Sequence, residues 1–291
     1  MQNISTTAHL VAMYRALETE RPDALFHDPF ARRLAGSEGV FAVEVLGEQE
    51  QGANAIAVRT IEFDESIERL VKAENIDLVL NLAAGLDTRP YRLNLPATLQ
   101  WLEVDFPEIL AYKDELLKDE RPVCRMERVP LDLTDVIQRR RLFTDINAVT
   151  DRVLVVTEGL LMYLSESQVA ELAADLAQQP HFHWWLLDLA SPLLKQQSRK
   201  YSRQRLFDQY FAGGEITFLF APESGTDFFK LYGWEVMEFI SLWRGLQRLD
   251  RRIRWMWLME YWMKVFKREY WQAIERDSGI FLLKYQTQTY L

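Results

Sequence analysis

The sequence is short of cysteine, of long apolar runs and of positive charge, and each shortage excludes a class of protein. Cys124 is the only cysteine in 291 residues, so no disulfide can form within the chain, and we expect a reducing, cytoplasmic setting. No uncharged apolar run approaches the ~18 residues of a membrane-spanning helix, and the N-terminus lacks the basic and apolar regions of a signal peptide. The net charge of −9 argues against nucleic acid as the main partner.

Glycine is scarce where a dinucleotide-binding protein would need it. The stretch "NLAAGLDTRPYRL" (81–93) follows an apolar run and has the position of the turn after a first parallel strand. A pyrophosphate-binding turn holds about three glycines, which let the backbone approach the phosphates, but this stretch holds only Gly85. We therefore expect a ligand without pyrophosphate. The alternatives are an NAD-dependent oxidoreductase, which the missing glycines disfavour, and a strand-to-helix turn that binds nothing.

The rest of the chain alternates between buried strands and helices. Residues 1–72 form a helical segment, 73–243 a strand-and-helix core, 244–277 a helical insert and 278–291 a last strand, all within a single domain. Strands alternating with helices predict right-handed crossovers and a parallel sheet, and the two strands that follow the alternating part predict an antiparallel edge. The predicted strands are 76–83, 99–105, 124–130, 152–158, 183–190, 233–242 and 279–288.

Acidic residues follow several of these strands. In open parallel sheets, ligands bind outside the carboxyl ends of the strands, so we expect Asp105, Asp132 and Glu158 to meet at one site. Asp105 lies twenty residues after Gly85, which matches the spacing of about 20 at which a carboxylate meets ribose hydroxyls in nucleotide-binding units. The alternative is that Asp105 only caps the following helix. A non-catalytic nucleoside-binding module also remains open.

Four motifs together resemble those of S-adenosylmethionine-dependent methyltransferases of the leucine carboxyl methyltransferase-like family. They are "NLAAGLDTRPYRL", "EVDFPEIL", "PLDLTD" and "TEGLLMYLSESQV". The resemblance covers most of the chain except about 243–278, and it is strongest to the bacterial branch associated with O-methylation of polyketide-type small molecules. It implies a Rossmann-like class I methyltransferase fold, an α/β architecture with a mostly parallel seven-stranded sheet, an antiparallel edge strand, a helical N-terminal cap and a helical insert before the last strand.

The resemblance also implies roles at the matching positions. Arg59 is expected to pair with the methionine carboxylate of S-adenosylmethionine, since a guanidinium and a carboxylate form paired hydrogen bonds. The alternative for Arg59 is an ion pair at the surface with Glu62 or Asp64. Gly85 is expected to form the close turn beside the methionine part of the cofactor, and Asp105 to hold the ribose.

The remaining implied contacts surround the adenine and the methyl group. Asp132 and Leu133 are expected at the adenine, and Glu158 beside the cofactor and the acceptor pocket. One departure from the family is Ala83, which stands where the family has the first glycine of the turn, and we expect it to alter the turn only slightly. The lysine that protein-carboxyl members use near the N-terminus has no clear counterpart, which disfavours a protein C-terminus as the substrate.

The implied reaction is O-methylation of a carboxyl or hydroxyl group of a small natural product. No catalytic residue is assigned. His9 and Tyr14 are candidates for a general base, although an ordinary surface position is expected for His9. His181 and His183 are expected to share one face of a strand, but no third metal ligand accompanies them at a recognisable spacing, so no metal site is predicted. Arg89 and Arg92 are expected to pair with acidic residues at the surface, the alternative being that they orient an acidic acceptor.

An aromatic segment, "RWMWLMEYWMKVFKREYWQ" (254–272), stands out near the C-terminus. Between 244 and 268, six arginines and two lysines stand against two acidic residues, which gives a net charge of 8 − 2 = +6. Three interpretations remain open: a helical insert that walls a lipophilic acceptor pocket, a homodimer interface, or a helix on an anionic membrane surface.

Overall fold

A computed structural model describes residues 2–46, 49–192, 219–251, 262, 265–267 and 278–286. Three helices precede the sheet, namely α1 (Gln2–Thr19), α2 (Ala31–Leu46) and α3 (Gln49–Ala73). Gly36 interrupts α2 with a φ of 57°, a left-handed conformation that glycine adopts without a steric cost. These helices form the predicted N-terminal cap.

The central sheet contains seven strands in the order β3-β2-β1-β4-β5-β7-β6. The first five strands pair in parallel, and β7 is antiparallel to both of its neighbours. The antiparallel strand therefore lies one position inside the edge, because β7 inserts between β5 and the edge strand β6. The strands are β1 (Leu78–Leu82), β2 (Gln100–Asp105), β3 (Arg125–Pro130), β4 (Val153–Thr157), β5 (Phe182–Leu189), β6 (Trp234–Ser241) and β7 (Gly279–Tyr285).

The inner strands are apolar on both faces because helices cover the sheet on both sides. In β1, Leu78, Leu80 and Leu82 pack into one buried cluster, while Val79 between them packs into the other. Every residue of β1 and of β4 is buried. A continuous apolar run is typical of such strands, since alternate side chains enter different cores.

The crossover helices and the helices near the C-terminus complete the described architecture. Ser165 begins α7 with a reciprocal capping box in which Gln168 takes part, as the "SESQ" pattern predicts. The helices are α4 (Arg89–Arg92), α5 (Pro107–Leu117), α6 (Val136–Asn147), α7 (Glu166–Ala177), α8 (Asp227–Lys230) and α9 (Leu242–Arg248), with a 3-10 turn at Leu161–Tyr163. Among the helices of the described ranges, none is long and apolar enough to cross a membrane.

Helix α9 starts the predicted insert and packs against α3. A Cβ atom on Gly245 would lie 2.6 Å from Cγ1 of Val58, so the two helices can approach this closely only with glycine there. Arg248 pairs with Glu62 at 2.9 Å. Most of the aromatic segment 254–272 lies outside the described residues, so its three interpretations remain open.

Candidate active site

A cavity of about 260 Å³ opens at the carboxyl ends of the parallel strands. It is enclosed by the cap helix α1, by α3 and by the loops after β1, β2, β3 and β4. The six residues that the sequence singles out all line this one cavity, namely Arg59, Gly85, Asp105, Asp132, Leu133 and Glu158. The fold thus brings together residues that are spread over a hundred positions of the chain.

Two residues of the turn after β1 have a left-handed backbone conformation. Gly85 has a φ of 50°, and Ala83, two residues earlier, has a φ of 55°. For a residue with a Cβ atom, this conformation costs about 1–2 kcal/mol. Ala83 therefore keeps the backbone that a glycine would adopt more easily, and the departure from the family pattern is accommodated by strain in the turn.

Asp105 at the end of β2 ties this turn to the neighbouring strand. Its Oδ2 accepts the backbone N–H of Gly85 at 2.6 Å, and its Oδ1 accepts the N–H of Phe106 at 2.7 Å. Burial raises the pKa of the Asp105 carboxyl, and the two N–H groups oppose the rise. The carboxylate therefore bonds the N–H of the N-cap residue of α5, but it also bonds the turn after β1 and lines the cavity, so a contact with the helix start is not its only role.

Arg59 and Glu158 form an ion pair in the wall of the cavity. Nε of Arg59 donates to Oε1 of Glu158 at 2.9 Å, and Nη1 lies 3.4 Å from Oδ2 of Asp188. The alternative of a surface pair between Arg59 and Glu62 or Asp64 is therefore wrong. Burial opposes the charged form of Glu158, but Arg89 and Arg59 outweigh it and hold the pKa of Glu158 below its ordinary value.

Arg89 and Arg92 lie in the interior and not at the surface, which corrects the expectation from the sequence. Arg89 reaches Asp64 at 2.6 Å, Glu158 at 2.7 Å and Asp87 at 3.1 Å. Arg92 also pairs with Asp64 at 2.6 Å. Both guanidinium groups do pair with carboxylates, as predicted, but a buried charge needs such partners far more than an exposed one.

Asp188 at the end of β5 is a site residue that the sequence analysis missed. Its Oδ1 accepts the N–H of Gly159 at 2.7 Å, and its Oδ2 faces Arg59. Burial raises the pKa of Asp188, and Arg59 opposes the rise. The rule that identified the other acidic residues, a carboxylate at the carboxyl end of a parallel strand, also applies to Asp188 and would have found it.

Asp132 and Leu133 form the wall after β3. Oδ1 of Asp132 accepts both the backbone N–H of Thr134, at 2.8 Å, and its hydroxyl, at 2.7 Å. The carbonyl of Leu133 accepts from Nη1 of Arg139 at 2.7 Å. These bonds fix the conformation of the loop, and both residues line the cavity beside the apolar side chains of Phe106 and Ile109.

The cap closes the cavity from the opposite side. Arg15 of α1 donates to the carbonyl of Leu86 at 2.6 Å and to Asp28 at 2.9 Å, and Asp28 also accepts the hydroxyl of Thr88 at 2.7 Å. These bonds fasten the cap to the turn after β1. Thr7, Ala8 and Val11 of α1 therefore become part of the cavity wall.

Neither proposed base faces the cavity. The surface position that the sequence analysis expects for His9 is wrong. His9 is only 5% exposed where α1 packs on α2, and its Nδ1 lies 3.1 Å from the carbonyl oxygen of Ala35. Tyr14 is buried and is likewise absent from the lining. Tyr163 does line the cavity, but burial raises the pKa of its hydroxyl, so it is protonated at neutral pH.

The two histidine side chains near β5 each contact a backbone carbonyl group. Nδ1 of His181 lies 3.0 Å from the carbonyl of Asn147, and Nε2 of His183 lies 3.2 Å from that of Asp151. In the part of the chain that the structure describes, no group of three His, Cys, Asp or Glu side chains is arranged to hold a metal ion.

Comparison with known proteins points to a single family. The profile of the leucine carboxyl methyltransferase family matches residues 8–177, more than half of the chain. A candidate S-adenosyl-L-methionine-dependent methyltransferase of Frankia alni is 31% identical over 262 residues, which cover 81% of this chain and 84% of that protein. One of Streptomyces coelicolor is 34% identical over 183 residues, 60% of this chain and 64% of that protein.

Solved structures share the fold at low sequence identity. A DUF574 family protein of Streptomyces avermitilis has a TM-score of 0.56 at 12% identity, covering 95% of this chain and 97% of that one. A candidate methyltransferase of Thermobifida fusca has a TM-score of 0.56 at 14% identity, covering 96% of this chain and 94% of that one. At such identities the likeness supports the fold alone.

Proposed function

Because the chain belongs to the leucine carboxyl methyltransferase family and is an S-adenosylmethionine-dependent methyltransferase, we propose that it methylates an oxygen atom of a small, lipophilic natural product. The acceptor group is a carboxyl or a hydroxyl, in a molecule of the polyketide type. The observation that carries this proposal is the cavity itself. Its acidic strand ends suit the cofactor, and its wall also includes the apolar residues Ala8 and Val11 of the cap and Met162.

Asp105 and Gly85 fit the ribose and its attached sulfur. A carboxylate accepts hydrogen bonds from two adjacent hydroxyl groups, and Asp105 retains lone pairs beyond those that take the N–H groups of Gly85 and Phe106. A Cβ atom on Gly85 would lie 3.6 Å from that of Ala8, so glycine keeps the passage between the turn and the cap wide. A cofactor without pyrophosphate needs no further glycine here.

Arg59, Glu158 and Asp188 fit the methionine end of the cofactor. That end carries a carboxylate and an ammonium group on one carbon, so its receptor must present a cation and an anion side by side. Arg59 lies between the carboxylates of Glu158 and Asp188, and we propose that Arg59 takes the cofactor's carboxylate. Glu158 then faces the ammonium group. Asp188 acts as a positioning residue, because it holds both Arg59 and the backbone of Gly159.

The wall after β3 fits the adenine. An aromatic base needs flat apolar contacts and a few polar groups at its edge. Leu133 and Ile109 supply the apolar contacts and Asp132 supplies a polar group, and all three residues line the cavity. We propose that the exocyclic amino group of the adenine donates to Asp132.

S-adenosylmethionine supplies a methyl group on a positively charged sulfur, which is already a good electrophile. The protein therefore has to align the acceptor oxygen and exclude water, and such positioning is worth up to about 10 kcal/mol. The cap helix α1 covers the cavity and is fastened by Arg15 to the turn after β1. A carboxylate acceptor is ionised at neutral pH and needs no base, and we assign none.

Transfer of a labelled methyl group tests the acceptor class. The protein is incubated with methyl-labelled S-adenosylmethionine and a metabolite extract from a polyketide-producing bacterium, and labelled organic-soluble products are isolated. Mild alkali releases methanol from a methyl ester but not from an ether, so it separates carboxyl from hydroxyl methylation. Label attached to nitrogen or carbon would refute O-methylation. An incubation from which the protein is omitted serves as the control for label that arises without the site.

Calorimetry tests the proposed contacts one by one. S-adenosylhomocysteine should bind the wild type, and NAD should not. Arg59→Ala should weaken S-adenosylhomocysteine by roughly tenfold or more, since a hydrogen bond to a charged group is worth about 1.5–3 kcal/mol. The same variant should leave 5′-methylthioadenosine, which lacks the amino acid end, unaffected. Equal weakening of both ligands would remove Arg59 from the methionine subsite.

A further inference from the structure

Thr60 carries a buried hydroxyl that none of the assigned contacts uses. The residue follows Arg59 on α3 and is 1% exposed. Its Oγ1 has no hydrogen-bond partner among the residues that the structure describes, although the side chain lines the cavity. A buried hydroxyl without a partner destabilises the folded state, so such a group calls for an explanation.

Its position in a helix makes the missing partner more informative. A threonine hydroxyl inside a helix ordinarily bonds the carbonyl three or four residues earlier, here that of Ala57 or Ile56. Oγ1 of Thr60 makes neither bond. Asp64, one turn later, accepts from Arg89 and Arg92, and Oγ1 of Thr60 makes no bond to it either.

We propose that Thr60 is a further cofactor-binding residue, whose hydroxyl donates to the carboxylate of the cofactor's amino acid end. This inference rests on the proposed placement of that end at Arg59. The two residues are adjacent on α3, and both line the same cavity. A carboxylate has more lone pairs than one guanidinium occupies, so the neighbouring hydroxyl completes its coordination.

The ammonium group, the ribose hydroxyls and the exocyclic amino group of the cofactor already have partners in the proposed arrangement. Asp105 serves the ribose, Asp132 the adenine and Glu158 the ammonium group. The α-carboxylate is the charged acceptor of the cofactor, and Thr60 is the buried donor that follows its proposed partner, Arg59, on α3. Rotation about χ1 exchanges the hydroxyl and the methyl group of a helical threonine, so the hydroxyl can turn to the cavity without movement of α3.

The inference predicts two effects of opposite sign for Thr60→Val, which replaces the hydroxyl with a methyl group of similar size. Without ligand, the variant should melt at the same temperature as the wild type or higher, because an unsatisfied polar atom is removed. S-adenosylhomocysteine should bind roughly tenfold more weakly, as expected for a lost hydrogen bond to a charged group. A threonine with only a structural hydrogen bond would instead lose stability.

The experiment combines calorimetry and thermal unfolding of the full chain. S-adenosylhomocysteine and 5′-methylthioadenosine are titrated into the wild type, Thr60→Val and Thr60→Ser. The affinity for 5′-methylthioadenosine should not change in any of them, and Thr60→Ser should recover most of the affinity for S-adenosylhomocysteine. Ser66→Ala is the control, because it removes a buried hydroxyl of α3 that does not line the cavity.

The outcomes separate this inference from the proposed function. If Thr60→Val binds S-adenosylhomocysteine as the wild type does, or if both ligands weaken equally, Thr60 has no role at the carboxylate. A loss of stability without ligand likewise overturns the assignment. Arg59→Ala, measured in parallel, reports on the methionine subsite itself. A selective loss there with an unchanged Thr60→Val would leave the subsite standing and remove Thr60 alone.

Discussion

Replacement of Ala83 by glycine offers a direct measure of the strain in the cofactor turn. Ala83 has a φ of 55° although it carries a Cβ atom, and a left-handed conformation costs a non-glycine residue about 1–2 kcal/mol. Glycine removes that cost. It also loses a methyl group and gains freedom in the unfolded chain, which together oppose the benefit by about 1 kcal/mol.

A neighbouring alanine separates these contributions. Ala84 is buried, and its φ is not in the left-handed region. Ala84→Gly therefore carries the same gain of freedom in the unfolded chain and the loss of a more deeply buried methyl group, without any relief of strain. Ala83→Gly should exceed Ala84→Gly in free energy of unfolding by about 1–2 kcal/mol.

Chemical denaturation of both variants beside the wild type gives the two free energies of unfolding. Affinity for S-adenosylhomocysteine should stay close to that of the wild type in Ala83→Gly, because Asp105 still holds the N–H of Gly85. Equal destabilisation by the two substitutions would show that Ala83 is not strained, and the reasoning about this turn would then be wrong.

Three further predictions concern the carboxylates and the turn after β4. Asp105→Asn should weaken S-adenosylhomocysteine in calorimetry by about 1–3 kcal/mol, because a charged hydrogen-bond acceptor is lost; unchanged affinity in a folded variant would exclude the ribose contact. Burial opposes the charge of Asp87, but Arg89 and Lys113 hold its pKa far below the ordinary value. The stability that Asp87 contributes is therefore complete above pH ~5 and is lost progressively as the pH falls further. The difference in melting temperature between the wild type and Asp87→Asn should therefore shrink from pH 5 towards pH 3, and a constant difference would contradict this. Gly159→Ala should lower the free energy of unfolding by about 1–2 kcal/mol, because Gly159 has a φ of 65°. It should also weaken the binding of S-adenosylhomocysteine, because a Cβ atom there would lie 3.3 Å from Nη1 of Arg59. Wild-type affinity in calorimetry would show that this turn does not act on Arg59.

The interior arginines show where reasoning from the sequence alone fails. Arg89 and Arg92 follow the cofactor turn in a short polar stretch, and such residues are exposed in most proteins. In the fold, Asp64 on α3 forms ion pairs with both of them, and these pairs offset the cost of burying their charges. Nothing in the local pattern indicates that a carboxylate 25 residues earlier will be the partner.

The sequence by itself determined the elements and their local chemistry. Apolar runs marked inner strands such as β1 and β4, since a strand covered on both faces needs apolar side chains at successive positions. The edge strands β3 and β6 instead mix apolar with charged residues. The spacing from Gly85 to Asp105 indicated a nucleoside site, because it reflects one strand-helix-strand unit whose length is set locally. Only the tertiary structure decided which distant groups meet. Strand β7 lies beside β5, and Arg59 contacts Glu158 and Asp188, which follow it in the sequence by 99 and 129 residues. Periodicity and capping depend on a few neighbouring residues, whereas these contacts depend on how whole helices and strands pack. They therefore cannot be predicted from a local sequence pattern.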